Sequence, residues 1–156
     1  MERKKKKSIL VVEDDEVISK SLKHILQLEG YSVDTAKTGQ EAIQKSKTKF
    51  FNLALIDIKL PDMEGTKLLT TMHKTVPKMM KIMITGYPSL ENAIKSLNHG
   101  ADAYIIKPVN PEKLLTLIKE KLKEQLQAEK MTKEKVTEWI KTRARQLEAE
   151  SEKNLA

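Results

Sequence analysis

Four short stretches of the chain carry side chains that could do chemistry together: Glu13-Asp14-Asp15, Asp57, Thr85 and Lys107. Several carboxylates brought within a few ångström raise one another's pKa, and a cation filling the site removes that cost. A hard divalent ion suits them, because Mg2+ takes carboxylate and carbonyl oxygens, keeps several waters and is completed by a substrate phosphate. A lysine ammonium and a threonine hydroxyl facing the same point are suited to phosphoryl oxygens. The chain has no cysteine, which excludes disulfides, thiolate metal sites and cysteine nucleophiles. His24, His73 and His99 share no spacing that would make a metal site. Taken singly, Asp14 or Asp15 reads as a helix cap, Asp57 as a turn residue ahead of Pro61, and Thr85-Gly86 and Lys107-Pro108 as ordinary loop chemistry. Their common position along the chain argues otherwise.

That position is the carboxyl end of a strand. Between Ser8 and about Lys123, short apolar runs alternate with amphipathic stretches, the pattern of βα units around a parallel sheet. The runs predict strands over 8–13, 32–36, 53–57, 81–85 and 103–107. Val17, Ile18, Leu22, Ile25 and Leu26 predict a first helix ending at Gly30. Further helices are expected over 40–48 and 65–74, from Ser89 (with Asn92) to Gly100, and onward from Pro111 as first helical residue. Five strands alternating with five helices predict an α/β, doubly wound (βα)5 three-layer sandwich around a five-stranded parallel sheet. Ligands of such sheets sit outside the carboxyl ends of the strands, so function belongs at 13–15, 57–59, 85–87 and 107–108.

A net charge of +7 suggests nucleic acid until it is divided along the chain. Residues 1–7 hold five basic residues and one acidic, residues 124–156 hold seven of each sign, and 8–123 hold 17 basic against 14 acidic. The strongest positive field therefore lies on a basic N-terminal tail, and aromatic residues make up only 4%, which gives base stacking little support. Specific nucleic-acid binding is not expected. No apolar run approaches the roughly 18 residues that cross a bilayer, and the expectation is a cytoplasmic protein without membrane contact.

After Pro111 there is neither glycine nor proline. One helix over 112–150 would span roughly 58 Å at 1.5 Å per residue, more than the domain needs. Leu115, Ile118, Leu122 and Leu126 form one apolar stripe, and Val136, Ile140 and Leu147, flanked by Trp139, form another. The stripes share no unbroken heptad register and Thr132 could cap a new helix, so a break is expected near 130–133. Residues 124–156 are too few for a core of their own and must pack on the domain, pair with another chain or stay partly disordered. For the stripe beside Trp139, docking on its own domain is the expected outcome.

The segments Ile9-Leu-Val-Val-Glu13-Asp14-Asp15, Leu55-Ile-Asp57-Ile-Lys59-Leu-Pro61-Asp-Met-Glu-Gly65, Ile84-Thr85-Gly86 and Gly100-Ala-Asp-Ala-Tyr104-Ile-Ile-Lys107-Pro108 occur in order, each at a predicted strand end. In this the chain resembles, over residues 8–123, the flavodoxin-like receiver domain of two-component response regulators. The resemblance implies Mg2+ held by Glu13, Asp14, Asp57 and the backbone carbonyl of Lys59, with Asp15 left as a helix cap. It implies Asp57 as the phosphoacceptor, taking a phosphoryl group from a sensor histidine kinase or phosphotransfer protein. Thr85 would bond that group, Lys107 would pair with its oxygens, and Tyr104 would turn inward as Thr85 moves, reshaping a surface for a downstream protein target. Such a domain is no conventional turnover enzyme; it catalyses its own aspartyl phosphorylation and dephosphorylation. Residues 1–7 then form a basic tail and 124–156 a helical extension for dimerisation or partner binding. The competing readings are a receiver-like binding module independent of phosphorylation, and a DNA-associated regulator using Lys4–Lys7 with Arg143 and Arg145. Lys59 and Tyr87, both bulky, lie two residues beyond Asp57 and Thr85 and are expected to alter the lifetime of the phosphorylated state.

Overall fold

The computed structural model describes residues 5–86 and 89–155; Tyr87 and the first four residues of the basic tail lie outside the described residues. The strands are β1 (Ser8–Val12), β2 (Ser32–Ala36), β3 (Leu53–Asp57), β4 (Met80–Thr85) and β5 (Ala103–Ile106), all parallel in the order β2-β1-β3-β4-β5. The helices are α1 (Glu16–Leu28), α2 (Gly39–Thr48), α3 (Gly65–Thr71), α4 (Leu90–Asn98) and α5 (Pro111–Leu155). This is the doubly wound sandwich that the alternation of patterns predicts.

Strand residues alternate between two apolar layers, as the two-residue period of a strand requires. Leu10, Val12, Ala54, Ile56 and Met83 pack with Ala42 of α2 and Leu68 and Leu69 of α3. Ile9, Val11, Leu53, Leu55, Ile82 and Ile84 pack with Leu22 and Leu26 of α1 and Leu114, Ile118 and Leu122 of α5. Because β1, β3 and β4 are covered on both faces, their side chains are almost entirely buried, which explains their continuous apolar runs. The winding direction reverses between β1 and β3, and the crevice of such a sheet opens at their carboxyl ends.

Local signals place the helices. The Asp15 carboxylate accepts the Ile18 N–H at 3.0 Å and Ser89 Oγ accepts the Asn92 N–H at 3.1 Å, so both are N-caps. Gly30 and Gly100 take φ of +92° and +102° just after α1 and α4, a conformation open mainly to glycine. α3 stops at Thr71, three residues short of the expectation, because Met72 turns to extended geometry and buries its side chain in the core.

Three expectations about α5 are corrected. It runs unbroken through 130–133, where the Thr132 hydroxyl donates to the Ala128 carbonyl at 2.9 Å and so acts as an interior helical residue, not a cap. Its buried face is Leu114, Ile118, Leu122 and Gln125; Leu115 is half-buried and Leu126 is exposed. The face is set by Gln125, which no hydrophobic pattern marks. Its Nε2 donates to the carbonyls of Asn52 at 2.8 Å and Lys78 at 2.7 Å, and its Oε1 accepts from Asn52 Nδ2 at 3.1 Å. Past Glu129 every described residue of the helix is exposed, and Trp139, at 68% exposed, does not take the docked place expected for it. No helix among the described residues is long and apolar enough to cross a membrane.

Candidate functional site

The sheet brings three predicted carboxylates to one point. Glu13 follows β1 directly, its N–H continuing the ladder to the Ala36 carbonyl at 3.0 Å, and its side chain is 3% exposed. Asp57 ends β3 with its side chain 9% exposed. Asp14 is exposed, yet one carboxylate oxygen from each of Glu13, Asp14 and Asp57 lies within 4.8 Å of the others. Oxygen donors of this number and charge suit a hard divalent ion such as Mg2+, so these side chains fit the group that their pattern implies.

One cation reaches the cluster from β5. Lys107 Nζ donates to Glu13 Oε2 at 3.2 Å and Asp57 Oδ2 at 3.3 Å, and its backbone N–H donates to the Thr85 carbonyl at 2.7 Å. Lysine and threonine are thereby tied at adjacent strand ends. Thr85 is buried at the end of β4, on the strand next to Asp57. The remaining carboxylate oxygens are held by backbone: Glu13 Oε1 accepts from Asp15 N–H at 3.1 Å and Asp57 Oδ1 from Lys59 N–H at 3.2 Å.

Two residues shape the Asp57 loop without a role assigned from sequence. Gly65 donates its N–H to the Ile58 carbonyl at 2.6 Å, and a Cβ there would fall on the carbonyl oxygen of Asp57, so only glycine fits. Asp62, within the motif segment that follows Asp57, accepts the N–H groups of Gly39 at 2.8 Å and Gln40 at 2.9 Å and pins the loop to the start of α2. Those backbone donors, with Gln40 foremost, hold its carboxyl below the usual range. The spacing from Asp57 to Gly65 is the only sequence signal for either.

Burial, and after it the Asp57 charge, pushes the Glu13 carboxyl up to about 7, against the opposing pull of the Asp15 N–H and Lys107. Burial works against the Lys107 ammonium, but Asp57 and Glu13 outweigh it and raise its pKa. The sign for Glu13 follows from linkage. Between its ordinary 4.5 and about 7 the folded chain binds more protons than the unfolded one, so its contribution to stability falls as pH rises through that window. A divalent cation needs the ionised form and reverses the loss. Thermal melts are therefore expected to show a larger Mg2+-induced rise at pH 7.5 than at pH 5.5, by about 3–8 °C, and Glu13→Gln should remove the pH dependence of that rise.

Tyr104 pairs with Met83 across the sheet, and its ring packs on the Leu10 layer. Its hydroxyl is buried with no hydrogen-bond partner among the described residues. Removing a buried, unpaired hydroxyl costs no bond, so Tyr104→Phe is expected to keep or raise stability by about 0.5–1.5 kcal/mol in urea denaturation. A loss of that size would show that the hydroxyl has a partner.

Comparison with known proteins agrees with this geometry. The family model "Response regulator receiver domain" matches residues 9–119. A curated relative, the cell cycle response regulator CtrA of Brucella ovis, is 32% identical over 110 residues, covering 70% of this chain and 47% of its own length. The chain thus spans about half the length of the curated relatives it matches. A CheY-like receiver domain structure from Methanospirillum hungatei is similar with TM-score 0.76 and 60% identity, over 80% of this chain and 99% of that one. A Burkholderia pseudomallei response regulator structure, holding a phosphorylated aspartic acid, a calcium ion and citrate, has TM-score 0.67 and 30% identity, over 80% of this chain and 72% of that one.

Proposed function

The chain belongs to the response regulator receiver family, and on that premise we propose that it acts in the cytoplasm and that Asp57 accepts a phosphoryl group from a phosphohistidine on a sensor histidine kinase or phosphotransfer protein. An Asp57 carboxylate oxygen attacks phosphorus as the phosphorus–nitrogen bond breaks, the nitrogen keeping the electron pair; an acyl phosphate results. Water later cleaves it, returning the carboxylate and inorganic phosphate. The acidic triad suits a domain that catalyses its own phosphorylation and dephosphorylation and is not a conventional turnover enzyme.

The single observation that carries this reading is the convergence of Glu13, Asp14 and Asp57, with Lys107 Nζ bonded to two of them. Glu13, Asp14, Asp57 and the Lys59 backbone carbonyl would hold Mg2+. Bound there, the ion would neutralise charge gathering on the phosphoryl oxygens. Phosphoryl transfer asks mainly for alignment and charge stabilisation. The protein's own part is then to fix Asp57 through the Lys59 N–H, and to offer the Lys107 ammonium and the Thr85 hydroxyl to the incoming oxygens.

The readout is a protein surface. The Tyr104 hydroxyl, buried without a hydrogen-bond partner among the described residues, supports a ring that can change place as Thr85 moves, and Leu90, Ile94 and Leu97 of α4 and Ile106 of β5 are exposed. We assign this α4–β5 face to the downstream target. Intact-mass measurement after treatment with acetyl phosphate tests the proposal. One phosphoryl group per chain is expected with Mg2+ and none with a chelator; labelling that ignores Mg2+ would contradict it.

A further inference from the structure

From Glu129 onward, α5 carries a seam in strict four-three spacing: Glu129, Lys133, Val136, Ile140, Arg143, Leu147, Glu150, Asn154. Glu129 and Lys133 border the groove that α5 forms with Val76–Lys78, but the Lys133 side chain is 75% exposed and every described residue after Glu129 is exposed, so from Val136 onward the seam packs on nothing else among the described residues. Val136, Ile140 and Leu147 are each about half exposed (51, 55 and 50%), and Trp139 borders them. A four-three seam is the geometry in which two helices bury one another's side chains.

We propose that this segment pairs with the same segment of a second copy of the chain, antiparallel, with Lys133 against Glu150, Val136 against Leu147, Ile140 against Arg143 and Glu129 against Asn154. Charge decides the direction. A parallel, in-register pair would stack Glu129, Lys133, Arg143 and Glu150 each on its own copy, four like-charge layers in one seam. The antiparallel pair has none of these and gains two Lys133–Glu150 ion pairs. Charge and apolar matching also select the register. A shift of one heptad one way sets Lys133 against Arg143, and the other way sets Ile140 against Glu150 and leaves Val136 on Asn154.

Among the described residues, the side-chain contacts that the seam already makes are weak ones. Lys133 makes a 3.5 Å contact with Glu129 on the exposed helix, and an exposed pair of this kind is weak enough to exchange. Arg143 Nη1 reaches Gln146 Oε1 at 3.4 Å, leaving its aliphatic stem to cover Ile140. Although the chain carries +7, residues 124–156 hold seven charges of each sign, so two extensions meet without net repulsion. The paired segment, 26 residues from 129 to 154, is roughly 39 Å long.

Sedimentation equilibrium on the full chain tests the pairing. A concentration-dependent dimer is expected, weakened at least tenfold by Lys133→Glu or Glu150→Lys alone, since each faces like charge across the seam. The double variant Lys133→Glu/Glu150→Lys should recover dimerisation, because the ion pair is restored with its sign reversed. The chain has no cysteine of its own, so orientation is read directly by crosslinking. Oxidised V136C mixed with L147C should give the mixed disulfide, and V136C alone should not. A monomer at all concentrations, a double variant no better than the singles, or self-crosslinking of V136C would each overturn the proposal; a monomer would leave the seam to a different partner. Acetyl phosphate labelling of the same variants reports on Asp57 separately, so failure of the pairing and failure of the phosphorylation reading are distinguished.

Discussion

Asp57→Asn is expected to lose all Mg2+-dependent labelling by acetyl phosphate while keeping the fold, because the amide has neither the charge nor the nucleophilic oxygen that forms the acyl phosphate. The side chain is nearly isosteric, and its one carbonyl oxygen can still accept from the Lys59 N–H or from the Lys107 ammonium, which Asp57 holds on separate oxygens. Removing one negative charge also relieves Glu13, which the Asp57 charge holds up. The variant should therefore melt no lower than the parent in chelator at pH 7.5, and gain less from Mg2+. Circular dichroism with intact-mass measurement reads both effects. Labelling that persisted in the variant would place the acceptor elsewhere.

Lys107→Ala should separate metal binding from chemistry. The ammonium stands 3.2 Å from Glu13 and 3.3 Å from Asp57, two of the carboxylates that a divalent ion needs, so its removal should tighten Mg2+ binding. It also takes away the positive group proposed to meet the phosphoryl oxygens, and labelling should slow by about 100- to 1000-fold, the usual cost of losing one such donor. In chelator, two buried carboxylates are left facing each other without their partner. The chain should lose about 1–3 kcal/mol in urea denaturation, partly offset where Glu13 keeps its proton. A variant that labelled at the parental rate would remove Lys107 from the mechanism.

The sequence is most legible where one local rule acts alone. Apolar runs covered on both faces give β1, β3 and β4, and the residues just past such runs, Glu13, Asp57 and Thr85, follow from strand length. Asp15 and Ser89 cap as their chemistry suggests. Legibility fails where a polar residue is recruited by distant backbone. Gln125 turns the face of α5 by bonding to carbonyls 73 and 47 residues away, and no hydrophobic count could rank it above Leu115 or Leu126. The expected break at Thr132 fails for a related reason: its hydroxyl can bond to a carbonyl within the same helix as well as it can cap a new one. Gly65 and Asp62 are visible as letters, but the Asp57 carbonyl and the α2 N-terminus that they serve come together only in three dimensions.

Calorimetric titration of the chelator-treated chain with Mg2+ at pH 7.5 tests most directly whether Glu13, Asp14 and Asp57 act as one cation site. The account predicts uptake of one ion per chain, accompanied by proton release from the Glu13 carboxyl and absent from a Glu13→Gln/Asp57→Asn double variant. A wild-type chain that takes up no Mg2+, or a double variant that takes it up unchanged, would contradict it.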